Sequence, residues 1–316
     1  MRKLDGRIGL LAKLISALLA GAVVYSNTIV FVDAFVGTVV FLSAMLGLVF
    51  LVVGATPEAS ARGPSVLDYA FSAAAFATGV YFWSTADQLI TRISLLDSLS
   101  AWQMVFGTAL VVLTLEATRR TVGASLTVIV VAFLLYNLFG DLLPGALGHG
   151  VITYEHFLDT LVFTTDGIFG VPVRVAATYA FLFVLFGTLL ARAGGSDFFF
   201  NVAAALSGSR PGGPAKIAVV SSGLYGMLSG SPTSDVVTTG SVTIPMMRKL
   251  GYSPHLAGAV EVAASTGGSL LPPVMGSAAF IMAEFTGIDY RDIVIAAVCP
   301  ALLYYLGVYA QVHLRS

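Results

Sequence analysis

The sequence predicts an all-α integral membrane protein with about seven spanning helices, one re-entrant helical hairpin and one broken helix. Three observations carry this expectation. Of 316 residues, 57% are hydrophobic and only 10% are charged, against about 25% charged in an ordinary soluble chain. The mean hydropathy is +0.90. Apolar runs recur along the chain, and two near its C-terminal end are interrupted by polar segments bearing Gly and Pro. A bilayer span needs about 20 apolar residues. A break at membrane depth survives only where the freed backbone is buried in protein or lines a cavity.

Taken in order, helices are expected at 8–26, 30–54, 66–86, 99–117, 121–143, 170–193 and 291–313. The first opens with a basic stretch and ends near Ala20-Gly21-Ala22. That pattern also fits a signal peptide, but the many following spans favour a first membrane helix. Gly, Pro and charged clusters punctuate the rest: Pro57 to Pro64, Asp87 to Asp97, Glu116 to Arg120, Asp141 to Asp166 and Gly194 to Pro214. The loop 144–169 is expected to hold a short interfacial helix over His156 to Phe163. That acidic outer loop is also a candidate docking face for an extracytoplasmic partner. Trp83 and Trp102 fall where aromatic belts form, and Arg174 reads as an interfacial anchor.

Charge orients the chain. With the N-terminus in the cytoplasm, all but Arg92, Arg174 and Arg291 of the 16 Lys and Arg fall inside, as the positive-inside bias demands. The segment 214–250 must then begin and end inside. Its expected arms, 217–229 and 236–247, are 13 and 12 residues long. They would reach about 20 Å and 18 Å, short of the roughly 30 Å hydrocarbon core, so they should dip in and turn back. The broken helix is expected over 254–287, with its break from Ser265 to Pro273.

The chemistry is expected at the two breaks. A half-helix ending near Ser229 presents free carbonyls, and one starting near Ser231 or Ser234 presents free N–H groups. Ser231-Pro232 suits an N-cap followed by proline at the first helical position. One tip can thus hold a small cation on oxygens and an anionic group on amides. Candidate ion ligands are Ser231, Thr233, Ser234 and Asp235, with Gly267 and Gly268 at the second break. Candidate substrate contacts are Ser231, Ser265, Thr266 and Ser269. Asp235 stands out because an ionisable group at membrane depth is costly and marks ion or proton paths. It also reads more plainly as first-turn stabilisation of its own helix dipole. Glu261 is either a second ionisable group of the pathway or a residue facing a wet interface.

Other chemistry is poorly supported. The stretch GSRPGGPAK (208–216) misses the spacing of a phosphate-binding loop. His149, His156, His255 and His313 are scattered and form no metal pattern. The single cysteine, Cys299, excludes an internal disulfide and reads as a small core residue. No cofactor and no nucleic-acid partner is expected. An intramembrane enzyme using Asp235 and Glu261 as acid and base is the weaker alternative.

SGSPTSDVVTTGSVTIPMM (229–247) and GAVEVAASTGGSLLPPVMGSAAFIMAEF (258–285) resemble the fused permease of tripartite ATP-independent periplasmic (TRAP) transporters, TAXI branch. LEATRR (115–120), GIFGVPV (167–173), FLFVLFG (181–187) and RPGGPAKIAVV (210–220) resemble the same family. The resemblance implies a small-component-like domain at 1–120 and the first half of a large-component-like domain at 121–316, half of an inverted-repeat transporter. It implies inner-membrane import of an organic acid, often a carboxylate, coupled to Na⁺ and fed by a periplasmic substrate-binding protein. It places a Na⁺ site at Ser231 to Asp235 and Thr266 to Ser269. The family's large component has two hairpins, and this chain has one. A separate polypeptide is therefore expected to supply the second half. The alternative is a shortened, non-transporting fragment or an assembly subunit.

Overall fold

The computed structural model describes residues 2–315 except 3, 5, 30–32, 57, 60–62 and 208–211. Arg62, Arg210 and part of the glycine-rich stretch at 208–216 lie outside the described residues. No strand occurs among the described residues, and the fold is all-α. Two compact units divide within the helix Val171–Leu190, Met1–Ala177 and Thr178–Ser316.

The first unit carries α1 (Gly6–Thr28), α2 (Ala34–Val52), α3 (Val66–Ser84), the short α4 (Ala86–Thr91), α5 (Ala101–Thr121), α6 (Ala124–Phe139) and α7 (Tyr154–Val162). The chain starts these helices with side-chain caps. Asp33 accepts from the N–H groups of Phe35 and Val36. Ser65 with Asp68, and Ser100 with Gln103, form capping boxes, in which two otherwise unpaired N–H groups are satisfied reciprocally. The core is built from Phe50, Phe82, Leu110, Leu158 and Phe169.

Among the described residues, six helices are long and apolar enough to cross a membrane: Ile8–Thr28, Ala34–Val52, Ala101–Thr121, Ala124–Leu142, Val171–Leu190 and Tyr290–Leu314. The seventh expected span, α3, forms with 19 residues but is less apolar. It carries Asp68 and a run of small and hydroxyl-bearing residues. Asp68 is 2% exposed and gathers a charge network. It accepts from Arg2 at 2.8 Å and Arg120 at 2.6 Å, and Arg120 also donates to Glu116 at 2.7 Å. The Arg120 guanidinium lies 5.0 Å from the Phe50 ring centroid. These charges are compensated at their burial site, as a low-dielectric interior demands.

The expected interfacial helix is present as α7. Its Asp159, 2% exposed, receives the Arg92 guanidinium and the Leu95 N–H at 2.7 Å. Burial alone would push the Asp159 carboxyl up, but the Arg92 hydrogen bond and the Leu95 N–H outweigh it and hold it below its ordinary value. A depressed carboxyl contributes stability that is complete above the unfolded-state value and lost as pH falls through the folded one. We expect Asp159→Asn to cost about 3 kcal/mol, in the range for a broken buried pair. The penalty should shrink as the solution is acidified below the carboxylate range. Thermal unfolding of the purified chain across pH checks both; a penalty independent of acidification would refute the assignment.

The second unit carries α9 (Ser196–Ser207), α10 (Gly213–Ser229), α11 (Pro232–Thr238), α12 (Gly240–Lys249), α13 (Pro254–Gly268), α14 (Ser277–Thr286) and α15 (Tyr290–Leu314), following α8 (Val171–Leu190). A core of Ala215, Ala218, Val219, Met247, Ala257 and Ala264 packs α10, α12 and α13 together. Cys299 is exposed on α15 rather than a core residue.

The hairpin forms with three corrections. Its first arm, α10, has 17 residues rather than 13, because the helix starts four residues earlier at Gly213, with Pro214 in its first turn and Ala215 and Lys216 buried. Its second arm is two helices of 7 and 10 residues joined at Thr239. Neither arm is among those six helices; about 26 Å for 17 residues still falls short of the roughly 30 Å core. The second break runs from Ser269 to Gly276, later than expected, since α13 continues through Gly267 and Gly268.

Candidate functional site

The hairpin tip is built by backbone preference. α10 stops at Ser229 because Gly230 adopts φ 60° and ψ 8°, the left-handed cap that glycine takes without a Cβ penalty. Its N–H donates to Gly226 O at 3.0 Å. Ser231 is the N-cap residue of α11, with Pro232 first inside the helix. The Ser231 hydroxyl makes no capping bond. Its N–H donates instead to Ser229 Oγ at 3.2 Å.

The two breaks meet. Val274 N–H donates to Met227 O at 3.2 Å, which occupies one carbonyl that the sequence leaves free. A Cβ placed on Gly226 would lie 2.7 Å from the Gly268 Cα and 3.0 Å from Asp235 Oδ2. The two helices therefore cross with backbone against backbone. The second break is tied down further. Gly276 N–H donates to Ser269 O at 2.8 Å, and Tyr290 Oη donates to Pro273 O at 3.0 Å. Tyr304 and Tyr305 on α15 donate to Ala263 O and Ala264 O at 2.9 and 2.7 Å.

Asp235 is completely buried. Its Oδ1 accepts from Ser229 Oγ, while Oδ2 has no hydrogen-bond partner among the described residues. No ion pair reaches it among the described residues. A buried carboxylate oxygen left without a partner is costly.

The structure brings some candidate residues together and separates others. Asp235, Gly267 and Gly268 are buried, and Asp235 and Gly268 both lie against Gly226. Ser231 and Ser269 are half-buried, and Ser269 Oγ donates to Thr266 O at 2.8 Å. Thr233, Ser234 and Thr266 are exposed. Ser265 turns away and donates to Glu261 Oε1 at 3.2 Å. Asp235 and Glu261 share no hydrogen bond.

Sequence reasoning missed the partners of Glu261. This residue is completely buried and accepts from Ser222, Thr239, Thr243 and Ser265. Thr239 and Thr243 are four residues apart, as are Glu261 and Ser265. That spacing puts each pair on one helix face, and it was the available signal.

Residues 109–316 match the family described as tripartite ATP-independent periplasmic transporter, DctM component. The chain belongs to that family. It therefore groups with the permeases of TRAP transporters, and six helices among its described residues are long and apolar enough to cross a membrane. Among its relatives is the C4-dicarboxylate TRAP transporter large permease of Vibrio cholerae, 33% identical over 121 residues, which are 38% of this chain and 26% of the relative. The ectoine TRAP transporter large permease of Halomonas elongata is 30% identical over 122 residues, 39% of this chain and 28% of the relative. The ectoine/5-hydroxyectoine TRAP transporter large permease of Ruegeria pomeroyi is 28% identical over 179 residues, 56% of this chain and 41% of the relative. The chain thus spans less than half the length of these curated TRAP relatives. No solved structure matches.

Proposed function

We propose that this TRAP chain forms part of a cation-coupled permease that imports an organic acid across the inner membrane, with Na⁺ as the coupling ion. The observation that carries this reading is the buried, unpartnered Oδ2 of Asp235 at the junction of two helix breaks. A cation held there would compensate a charge that is otherwise costly at membrane depth. Ser231, half-buried at the start of α11, is the nearest further oxygen in sequence, whereas Thr233 and Ser234 are exposed; Gly267 and Gly268 allow the backbones to approach. Ser231 and Ser269, half-buried at the two breaks, remain the substrate-contact candidates, whereas Thr266 is exposed and Ser265 belongs to the Glu261 cluster.

The remaining parts of the reading rest on different support. A family match beginning at residue 109 is consistent with a small-component-like segment at 1–120 and a large-component-like segment at 121–316. The motifs at 229–247 and 258–285 alone support the TAXI branch and a fused permease. The asymmetry of Lys and Arg supports a cytoplasmic N-terminus. The partners this function requires are a periplasmic substrate-binding protein and the other membrane components of the permease. The relatives' names cover ectoine, C4-dicarboxylates and sialic acid, so those ligands are the first to test.

The test is uptake of those labelled ligands into vesicles that carry the chain with its permease and binding-protein partners, under imposed Na⁺ or H⁺ gradients. Asp235→Ala should lower Na⁺-driven uptake at least tenfold, about 1.4 kcal/mol. Ser231→Ala should have a smaller effect in the same direction. Unchanged coupling in both variants would remove the site from the tip, and binding without gradient dependence would favour a non-transporting subunit.

A further inference from the structure

We infer that Glu261 is the centre of a second small-cation site, separate from the hairpin tip. Its carboxylate is completely buried, and no Lys, Arg or His forms an ion pair with it among the described residues. The surrounding groups are four neutral hydroxyls from three segments: Ser222 on α10, Thr239 and Thr243 at the bend of the second arm, and Ser265 on α13. Hydroxyl dipoles satisfy the carboxylate's lone pairs but leave its unit charge uncompensated, which a low-dielectric interior penalises heavily.

The hydroxyls are arranged so that they can change role. Thr239 Oγ1 is also 2.8 Å from Asp235 O, and Thr243 Oγ1 is 3.0 Å from Thr239 O. Ser222 Oγ is 3.0 Å from Thr239 Oγ1. Each of these three protons therefore has an acceptor other than the carboxylate. When they turn to it, three hydroxyl lone pairs and two carboxylate oxygens converge without orphaning a donor. An all-oxygen set selects a hard cation, and one carboxylate selects a single positive charge. The occupant is Na⁺ or a cation of its class. Its ligands come from both hairpin arms and from the broken helix, so occupancy would lock the bend at Thr239 against α13.

The experiment measures radioactive Na⁺ binding and Na⁺-dependent thermal stabilisation of the purified full chain, with choline holding ionic strength constant. Glu261→Gln keeps the shape and the hydroxyl partners but removes the charge; it should lose one Na⁺ equivalent. Asp235→Asn should retain that equivalent and lose only the one assigned to the tip. If the tip reading fails, Asp235→Asn is silent while Glu261→Gln still removes Na⁺ binding, so the two assignments fail separately. Thr243→Val and Ser222→Ala leave the carboxylate in place and should each weaken the Glu261 component about tenfold, which keeps the test decisive if Glu261→Gln folds poorly. An unchanged Na⁺ stoichiometry and midpoint in Glu261→Gln overturns the proposal. So does stabilisation that follows pH and ignores Na⁺, because a proton then meets the charge.

Discussion

Gly268→Leu is expected to abolish cation-dependent uptake and to destabilise the second unit by about 3 kcal/mol, the upper end for overpacking a filled site. A Cβ at position 268 would lie 2.6 Å from the Gly226 Cα and 3.0 Å from the Gly226 carbonyl carbon. Both obstacles are backbone, so no rotamer change relieves the clash and α10 must move away from α13. That movement would separate Asp235 Oδ2 from the second break, because the same Gly226 position lies against both. Gly258 on the same helix is the matched control, since a Cβ there meets nothing within 4 Å. Gly258→Ala should leave uptake intact and be neutral or stabilising by up to about 1 kcal/mol through helix propensity. Thermal unfolding and vesicle uptake read both variants. Equal behaviour of the two would show that the backbone crossing does not position the site.

The second large effect lies in the first unit, far along the chain from the hairpin. Asp68→Leu should cost roughly 3–5 kcal/mol, the range for removing one partner from a buried pair. The Arg2 and Arg120 side chains are each 2% exposed, and both donate to this carboxylate. Among the described residues Arg2 would keep only main-chain acceptors, including Ala59 O at 3.1 Å. Arg120 would keep Glu116, so the greater uncompensated charge falls on Arg2. Hydrogen exchange should rise in α3 and at the C-terminal end of α5, where the network is anchored, while α10 to α13 stay protected. A loss below about 1 kcal/mol, or exchange spread evenly over both units, would show that the network is not what holds these helices.

Several features were legible in the residues themselves. All seven expected helices form, and the turn at Ser229-Gly230-Ser231-Pro232 falls where its residues place it. A glycine takes the left-handed cap and a proline opens the next helix. The capping boxes at Ser65 and Ser100 are readable in the same way, since the partner is three residues along. The arms of the hairpin were harder to bound. Gly213-Pro214-Ala215-Lys216 carries little periodic signal, yet it forms the first turn of α10, with Ala215 and Lys216 buried.

Gly267 and Gly268 show where local reasoning stops. As adjacent glycines they read as a break, and in the fold they are the last turn of α13, held helical against Gly226 and beneath Tyr304 and Tyr305. The Glu261 cluster shows the same limit. Its partners lie 39, 22, 18 and 4 residues away, and only the last is within a helical turn.

By itself the sequence determined the membrane environment, the helices, their punctuation and the family, because these follow from composition and from contacts within a few residues. The tertiary structure alone decided that the two breaks touch, that one Asp235 oxygen is left unmatched, and that four hydroxyls surround Glu261. Those outcomes depend on distant backbones approaching closely enough to exclude water, and no local pattern in the chain encodes that distance.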